Sequence, residues 1–263
     1  MIANFFQSLS EHGVEYLLIS GQAAILYGAA TFSEDIDLWI NPTSENRDRF
    51  TAALRDCQAR FYKLTPQVTV QNLRRGHGFH FLLPGGKNSV IFLDVMGNPP
   101  RIRSFTASLR TARWMETEWG NIHTVGLKPL VELKKTQRLE DYPVISKLAL
   151  GWFDRPECAK TSGELRWALR NIFTLPELRV FFGEHPEALD LSIENSHPSV
   201  TAFGRQSLAG GAVDESVERQ VNEWMQQRIA ELQHADRHYW REIIAELKTL
   251  RASEKLVTEG SAV

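Results

Sequence analysis

Cysteine is almost missing from this chain: Cys57 and Cys158 are the only two in 263 residues. They lie far apart with no ligand pattern beside them, which excludes a disulfide framework and a cysteine-rich zinc site. They read as free thiols of a reducing compartment. No apolar run approaches the roughly 18 residues that span a bilayer. The opening MIANFFQSLSEHG has too little apolar length for a signal peptide, so a cytoplasmic protein is expected. An excess of one charge is lacking too. Thirty basic residues face thirty-two acidic ones, a formal net charge of -2, which argues against a general nucleic-acid coat and leaves only a local basic groove open. No internal repeat is visible.

Core-forming residues are plentiful. Hydrophobic residues make up 43% and charged residues 24%, with seven Trp and fourteen Phe, an ordinary globular balance. The length suits one large domain, or one of about 150 residues with an appendage. The pattern predicts an α/β (α+β) region over residues 1–153 and a helical region over 154–263. A first helix over residues 2–12 places Ile2, Phe5, Phe6 and Leu9 at 3–4 spacing and stops at Gly13. VEYLLIS reads as a strand, QAAILY as a short helix and IDLWI as a second strand. Thr43 or Ser44 caps a helix carrying Phe50, Leu54 and Cys57. Residues 62–83 look strand-like, Pro84 to Asn88 form a turn, and VIFLDV is a further strand running into Met96. Short strands are expected within 101–126, then helices over 129–138 and 141–152. After several short helices, one long helix runs from Asp214 to about Lys255, and Val257 to Val263 are expected to fray. That helix needs cover, either from the main domain or from a second copy.

The most informative residues are carboxylates. Asp35 and Asp37 flank Ile36, so on a strand both point to one face. Crowded carboxylates repel, and a divalent cation removes that penalty; oxygen-only donors suit Mg²⁺. The neighbouring Ile36, Leu38, Trp39 and Ile40 belong to a buried strand, where acidic residues need a reason. Asp94 repeats the anomaly as the only charge in VIFLDVM. It reads either as a satisfied buried hydrogen-bond acceptor or as a third metal ligand. Upstream, Ser20-Gly21 stands between a strand and a short helix, where glycine lets the backbone approach phosphate and hydroxyl and amide groups donate to it.

The segment LLISGQAAILYGAATFSEDIDLWI resembles the signature of the polymerase-beta-like nucleotidyltransferase superfamily: strand, glycine-containing pair, short helix, then Asp-x-Asp on the next strand. The resemblance is nearest to the bacterial abortive-infection and toxin–antitoxin (AbiEii-like) group and small stand-alone relatives. A later PLVELKKTQRLEDYPVI is similar to that group's Lys, Arg, Asp block, giving Lys134, Arg138 and Asp141. The similarity covers roughly residues 13–150. It implies a mixed nucleotidyltransferase-type sheet flanked by helices, which the helical region with its long helix then follows by the residue pattern alone. It also implies transfer of an NMP group from an NTP such as ATP to RNA or tRNA, a protein or a small molecule. Asp35, Asp37 and Asp94 would hold Mg²⁺ and carry the catalysis, Asp94 as ligand or general base. Ser20, Gly21, Ser33 and Lys134 would bind the nucleotide, Lys134 having a plain helix lysine as its alternative. Gln22 follows Ser20-Gly21 where the family has Gly-Gly or Gly-Ser, and Ala30-Thr31-Phe32-Ser33 carries no basic residue where relatives often do.

The resemblance further implies the toxin of a toxin–antitoxin or phage-defence system, with an antitoxin partner, or a homodimer formed through the long helix. The alternative is a non-catalytic nucleotide-binding or interaction protein that works through that helix. Arg74, Arg75, His77 and His80 cluster in NLRRGHGFHF; an edge strand with exposed charges is expected, against a basic rim for an acceptor. His234 and His238 share a helix face without an acidic partner and read as surface or packing residues.

Overall fold

The computed structural model describes residues 2–85, 89–195 and 197–263, the side chains of 194 and 195 excepted. The expected turn therefore falls partly outside the described residues, at Gly86 to Asn88. Two compact units emerge: Met1–Leu133 with His238–Val263, and Lys134–Arg237.

The first unit begins with α1 (Ile2–Glu11), β1 (Tyr16–Ile19), α2 (Ser20–Leu26), β2 (Asp35–Ile40) and α3 (Ser44–Asp56). It continues through β3 (Arg60–Phe61), α4 (Val70–Arg74), β4 (Gly78–Pro84), β5 (Val90–Met96) and α5 (Phe105–Leu109). Then come β6 (Arg113–Thr117), β7 (Gly120–Thr124) and α6 (Leu127–Leu133). The seven strands form one mixed sheet in the order β3-β4-β5-β2-β1-β7-β6. β2 runs parallel to β5 and β1 parallel to β7; the other pairs are antiparallel.

Period-two alternation explains why this sheet holds. Phe79, Phe81 and Leu83 of β4, Leu93 and Val95 of β5, and Ile36, Leu38 and Ile40 of β2 are all buried. Against that face pack the apolar stripes of α1 (Phe5, Phe6, Leu9) and α3 (Phe50, Leu54), with the Phe50 and Phe81 rings edge-on at 6.1 Å. Each such side chain withdrawn from water contributes about 1.5–3 kcal/mol. Thr43 caps α3 by accepting the Asn46 N–H at 3.2 Å.

The span 62–83 departs from its strand reading. Thr69 caps a helical turn, α4, by accepting from the Asn72 N–H at 3.1 Å, and β4 is the strand that forms among the described residues. Five residues of helix give no period to detect. The tail is a second departure. Residues 256–263 do not fray but lie antiparallel along β3 and the loop after it. The Val257 N–H donates to the Thr65 carbonyl at 2.9 Å, Gly260 to Phe61 at 2.8 Å, and Phe61 to Ser261 at 2.9 Å. The open edge of β3 offers donors and acceptors that the backbone of this segment satisfies.

In the second unit lie α7 (Asp141–Gly151), α8 (Ser162–Arg170), α9 (Leu175–Glu184), α10 (Ala188–Asn195), α11 (Pro198–Leu208) and the first part of α12 (Glu215–Ala252). Its core gathers Tyr142, Phe181, Phe182 and Phe203 with Val221, Met225 and Ile229 of α12. The 38-residue α12 is counted with the second unit up to Arg237 and with the first from His238. In the first unit it finds cover: Ile243 is buried, and Tyr239 donates through its hydroxyl to the Asn98 carbonyl at 3.2 Å. Gly76 makes room there, since its φ is +84° and a Cβ would stand 2.6 Å from the Tyr239 hydroxyl. The division points at 133/134 and 237/238 differ from the compositional shift at 153/154. The chain after Leu133 already belongs to the helical unit, and the long helix returns to the first.

Candidate active site

The face of the sheet opposite α1 and α3 carries the carboxylates. Alternation along β2 buries Ile36 and Leu38 and leaves Asp35 and Asp37 half-buried on the other side. On β5 the same alternation presents Phe92, Asp94 and Met96. Because β2 and β5 are parallel with Asp37 opposite Asp94 and Asp35 opposite Phe92, the two anomalous carboxylates are neighbours in one row. That row extends further: Ile19 stands opposite Asp37, and His80 opposite Asp94. Trp39 closes one end of this face. It is buried, donates through Nε1 to the Gly97 carbonyl at 3.0 Å and meets Phe105 edge-on at 5.4 Å.

Asp94 is engaged by a residue that sequence reading left aside. Nδ1 of His80 lies 2.7 Å from Asp94 Oδ1, with side-chain exposures of 26% and 30%. An ionised carboxylate only accepts, so Nδ1 is the protonated nitrogen of this pair. His80 is itself braced: its N–H donates to Thr65 Oγ1 at 3.2 Å, and its carbonyl accepts from Tyr62 N–H at 2.9 Å. The hairpin register that sets Pro84 opposite Val90 brings His80 opposite Asp94.

The remaining members of NLRRGHGFHF do not gather into a rim. Arg74 Nε donates to the Pro42 carbonyl at 3.1 Å, and Arg75 pairs with Glu246. His77 is fully buried, with Nε2 at 3.1 Å from Glu246 Oε2. β4 is no edge strand either, because β3 lies outside it. His234 and His238 are exposed on α12.

The Ser20-Gly21 element begins α2 directly after β1. Ser20 has φ +59°, a left-handed conformation that costs a non-glycine residue energy. Gly21 is packed rather than open: an added Cβ would stand 2.2 Å from Ser33 Oγ and 2.8 Å from Ser33 Cβ. Gln22 donates through Nε2 to the Ser33 carbonyl at 3.0 Å. Gln22 thus ties α2 to the loop that leads into β2. Ser33 Oγ in turn reaches the Asp35 carbonyl at 3.4 Å. Ser20, Gly21, Ser33, Asp35, Asp37 and Asp94 all belong to the first unit.

Lys134 begins the second unit. Its Nζ lies 2.7 Å from Asp141 Oδ1 in a buried pair, and Thr136 Oγ1 donates to Asp141 Oδ2 at 2.7 Å. The Lys-Asp block therefore has an internal structural use. Among the described residues, no group of three or more His, Cys, Asp or Glu side chains stands ready to hold a metal ion, and none of the helices is long and apolar enough to cross a membrane.

By fold, then, this is a mixed α/β chain with half-buried carboxylates on one sheet face, flanking helices and a long terminal helix. No family model and no curated protein match it. Six chains of solved structures do. One is the Thermotoga maritima "putative nucleotidyltransferase", 14% identical, with 48% of this chain and 74% of that one covered at a TM-score of 0.33. Another is ANT(2")-Ia in complex with adenylyl-2"-tobramycin, 12% identical, covering 86% and 95% at a TM-score of 0.34.

Proposed function

We propose that the chain is a Mg²⁺-dependent nucleotidyltransferase that moves an NMP group from an NTP to an acceptor. One observation carries this reading: Asp37 and Asp94 are register partners on parallel strands, with Asp35 two residues away on the same half-buried face. Carboxylate rows of this sort, set beside a buried core, fit a hard cation that takes oxygen ligands. When bound, such a cation neutralises charge that develops on the phosphates.

The protein's own residues supply position. Asp35 and Asp37 would hold the cation, and Asp94 beside them would either complete the ligand set or face the acceptor. Ser20, Gly21 and Ser33 form the wall next to the Asp pair where the triphosphate would lie. In the reaction a bond forms between the acceptor oxygen and the α-phosphorus. The bond from that phosphorus to pyrophosphate breaks, and the acceptor's proton leaves to a base. Fixed in-line geometry supplies most of the acceleration.

The acceptor is RNA, a protein side chain or a small hydroxylated molecule. Incubation with α-labelled NTPs, Mg²⁺ and total RNA or cell lysate tests the reading. Label transferred by the native chain and lost in Asp35→Asn/Asp37→Asn supports it; equal labelling by both sinks it.

A further inference from the structure

The nucleotidyltransferase reading leaves two jobs open for Asp94, and the choice between them rests on that reading. The backbone alone would let Asp94 and Asp37 share a cation, since they are register partners on parallel strands. Asp94 is bound from the opposite flank, from β4, by His80 Nδ1 at 2.7 Å, and among the described residues no three-group metal set closes.

The hold is well built. His80 is fixed through its own backbone to Thr65 and Tyr62, and Thr65 is fully buried. A hydrogen bond to a charged acceptor is among the stronger ones a side chain makes. The ring has room, too, because Gly78 lies on the same face of the strand and even a Cβ there would stand 3.5 Å from Nε2. Leu82, on the same face of β4, shows what an apolar strand would put there.

We infer that His80 is a positioning residue that holds Asp94 off the metal, so that the cation rests on Asp35 and Asp37 alone. The physical sense lies in charge count. Affinity for a hard cation rises with each carboxylate in its shell, and a third one competes with the triphosphate for the same cation. A two-carboxylate seat leaves coordination positions for phosphate oxygens.

The test is Mn²⁺ binding to the full chain without nucleotide, followed calorimetrically. His80→Ala frees Asp94, and Mn²⁺ affinity is expected to rise five- to tenfold. His80→Asn keeps an amide donor for Asp94 and should bind as the native chain does. Adding Asp94→Asn to His80→Ala should abolish the gain. A merely structural histidine would give weaker binding in both His80 variants, and that result, or unchanged affinity in His80→Ala, overturns the inference. A native chain that binds no Mn²⁺ at all overturns the nucleotidyltransferase reading and this inference together. Binding by the native chain with no gain in His80→Ala overturns this inference only.

Discussion

Replacing Gly21 by alanine probes the junction on which the proposed phosphate wall depends. Its φ is not in the left-handed region, so alanine brings no backbone strain and the effect is steric. The new Cβ would stand 2.2 Å from Ser33 Oγ and 2.8 Å from Ser33 Cβ, whereas Ser33 Cα at 4.0 Å is in ordinary contact. A Cβ cannot rotate away, so the backbone around Ser33 must shift. Overpacking of this kind costs about 1–3 kcal/mol. The Gln22 bond to the Ser33 carbonyl, 3.0 Å long, would weaken as well, adding up to about 1 kcal/mol. Ser33→Gly removes both clashing atoms and by itself costs about 0.5–1 kcal/mol in chain entropy. Each single variant is thus less stable, yet the double variant should be about 1–2 kcal/mol more stable than Gly21→Ala. Urea unfolding at constant m reads all four proteins. A Gly21→Ala protein within about 0.5 kcal/mol of native, or strictly additive effects, would refute the close approach.

Three further outcomes are expected from other parts of the fold. Lys134→Met leaves Asp141 buried with only Thr136 for a partner and should cost about 3–5 kcal/mol in thermal or urea unfolding, while Lys134→Met/Asp141→Leu recovers most of it. Burial pushes the Tyr16 hydroxyl up to about 12. The unfolded group ionises near 10, so its contribution is intact below that pH and falls away between pH 10 and 12, by about 2–3 kcal/mol. Alkaline unfolding curves should show this loss in the native chain and less of it in Tyr16→Phe. Removing residues 256–263 uncovers the edge of β3 and should lower the urea midpoint and promote concentration-dependent self-association, read by light scattering.

Local signals made much of the sheet legible in advance. Ile36, Leu38 and Ile40 alternate with Asp35 and Asp37, so a strand with two carboxylates on one face is expected from period two. VIFLDVM revealed its strand instead as a short apolar run broken by one charge. Asp94's place beside Asp37 needed the pairing of β2 with β5, which a single sequence does not print. His80 was missed because its partner is fourteen residues away and its neighbours suggested surface charge. His77 went astray for a like reason, its Glu246 lying far along the chain. The tail has no apolar period, and its order comes from backbone bonds to β3. The helix expected to reach residue 138 ends at Leu133, where the chain passes into the Lys134–Asp141 arrangement.

The central claim concerns a metal–nucleotide seat on Asp35 and Asp37, and equilibrium binding of labelled NTP, with Mg²⁺ and with EDTA, tests it most directly. The account predicts binding by the native chain that requires Mg²⁺ and weakens at least about tenfold, or about 1.4 kcal/mol, in Asp35→Asn/Asp37→Asn. Binding that ignores EDTA, or that the double variant retains in full, would contradict it.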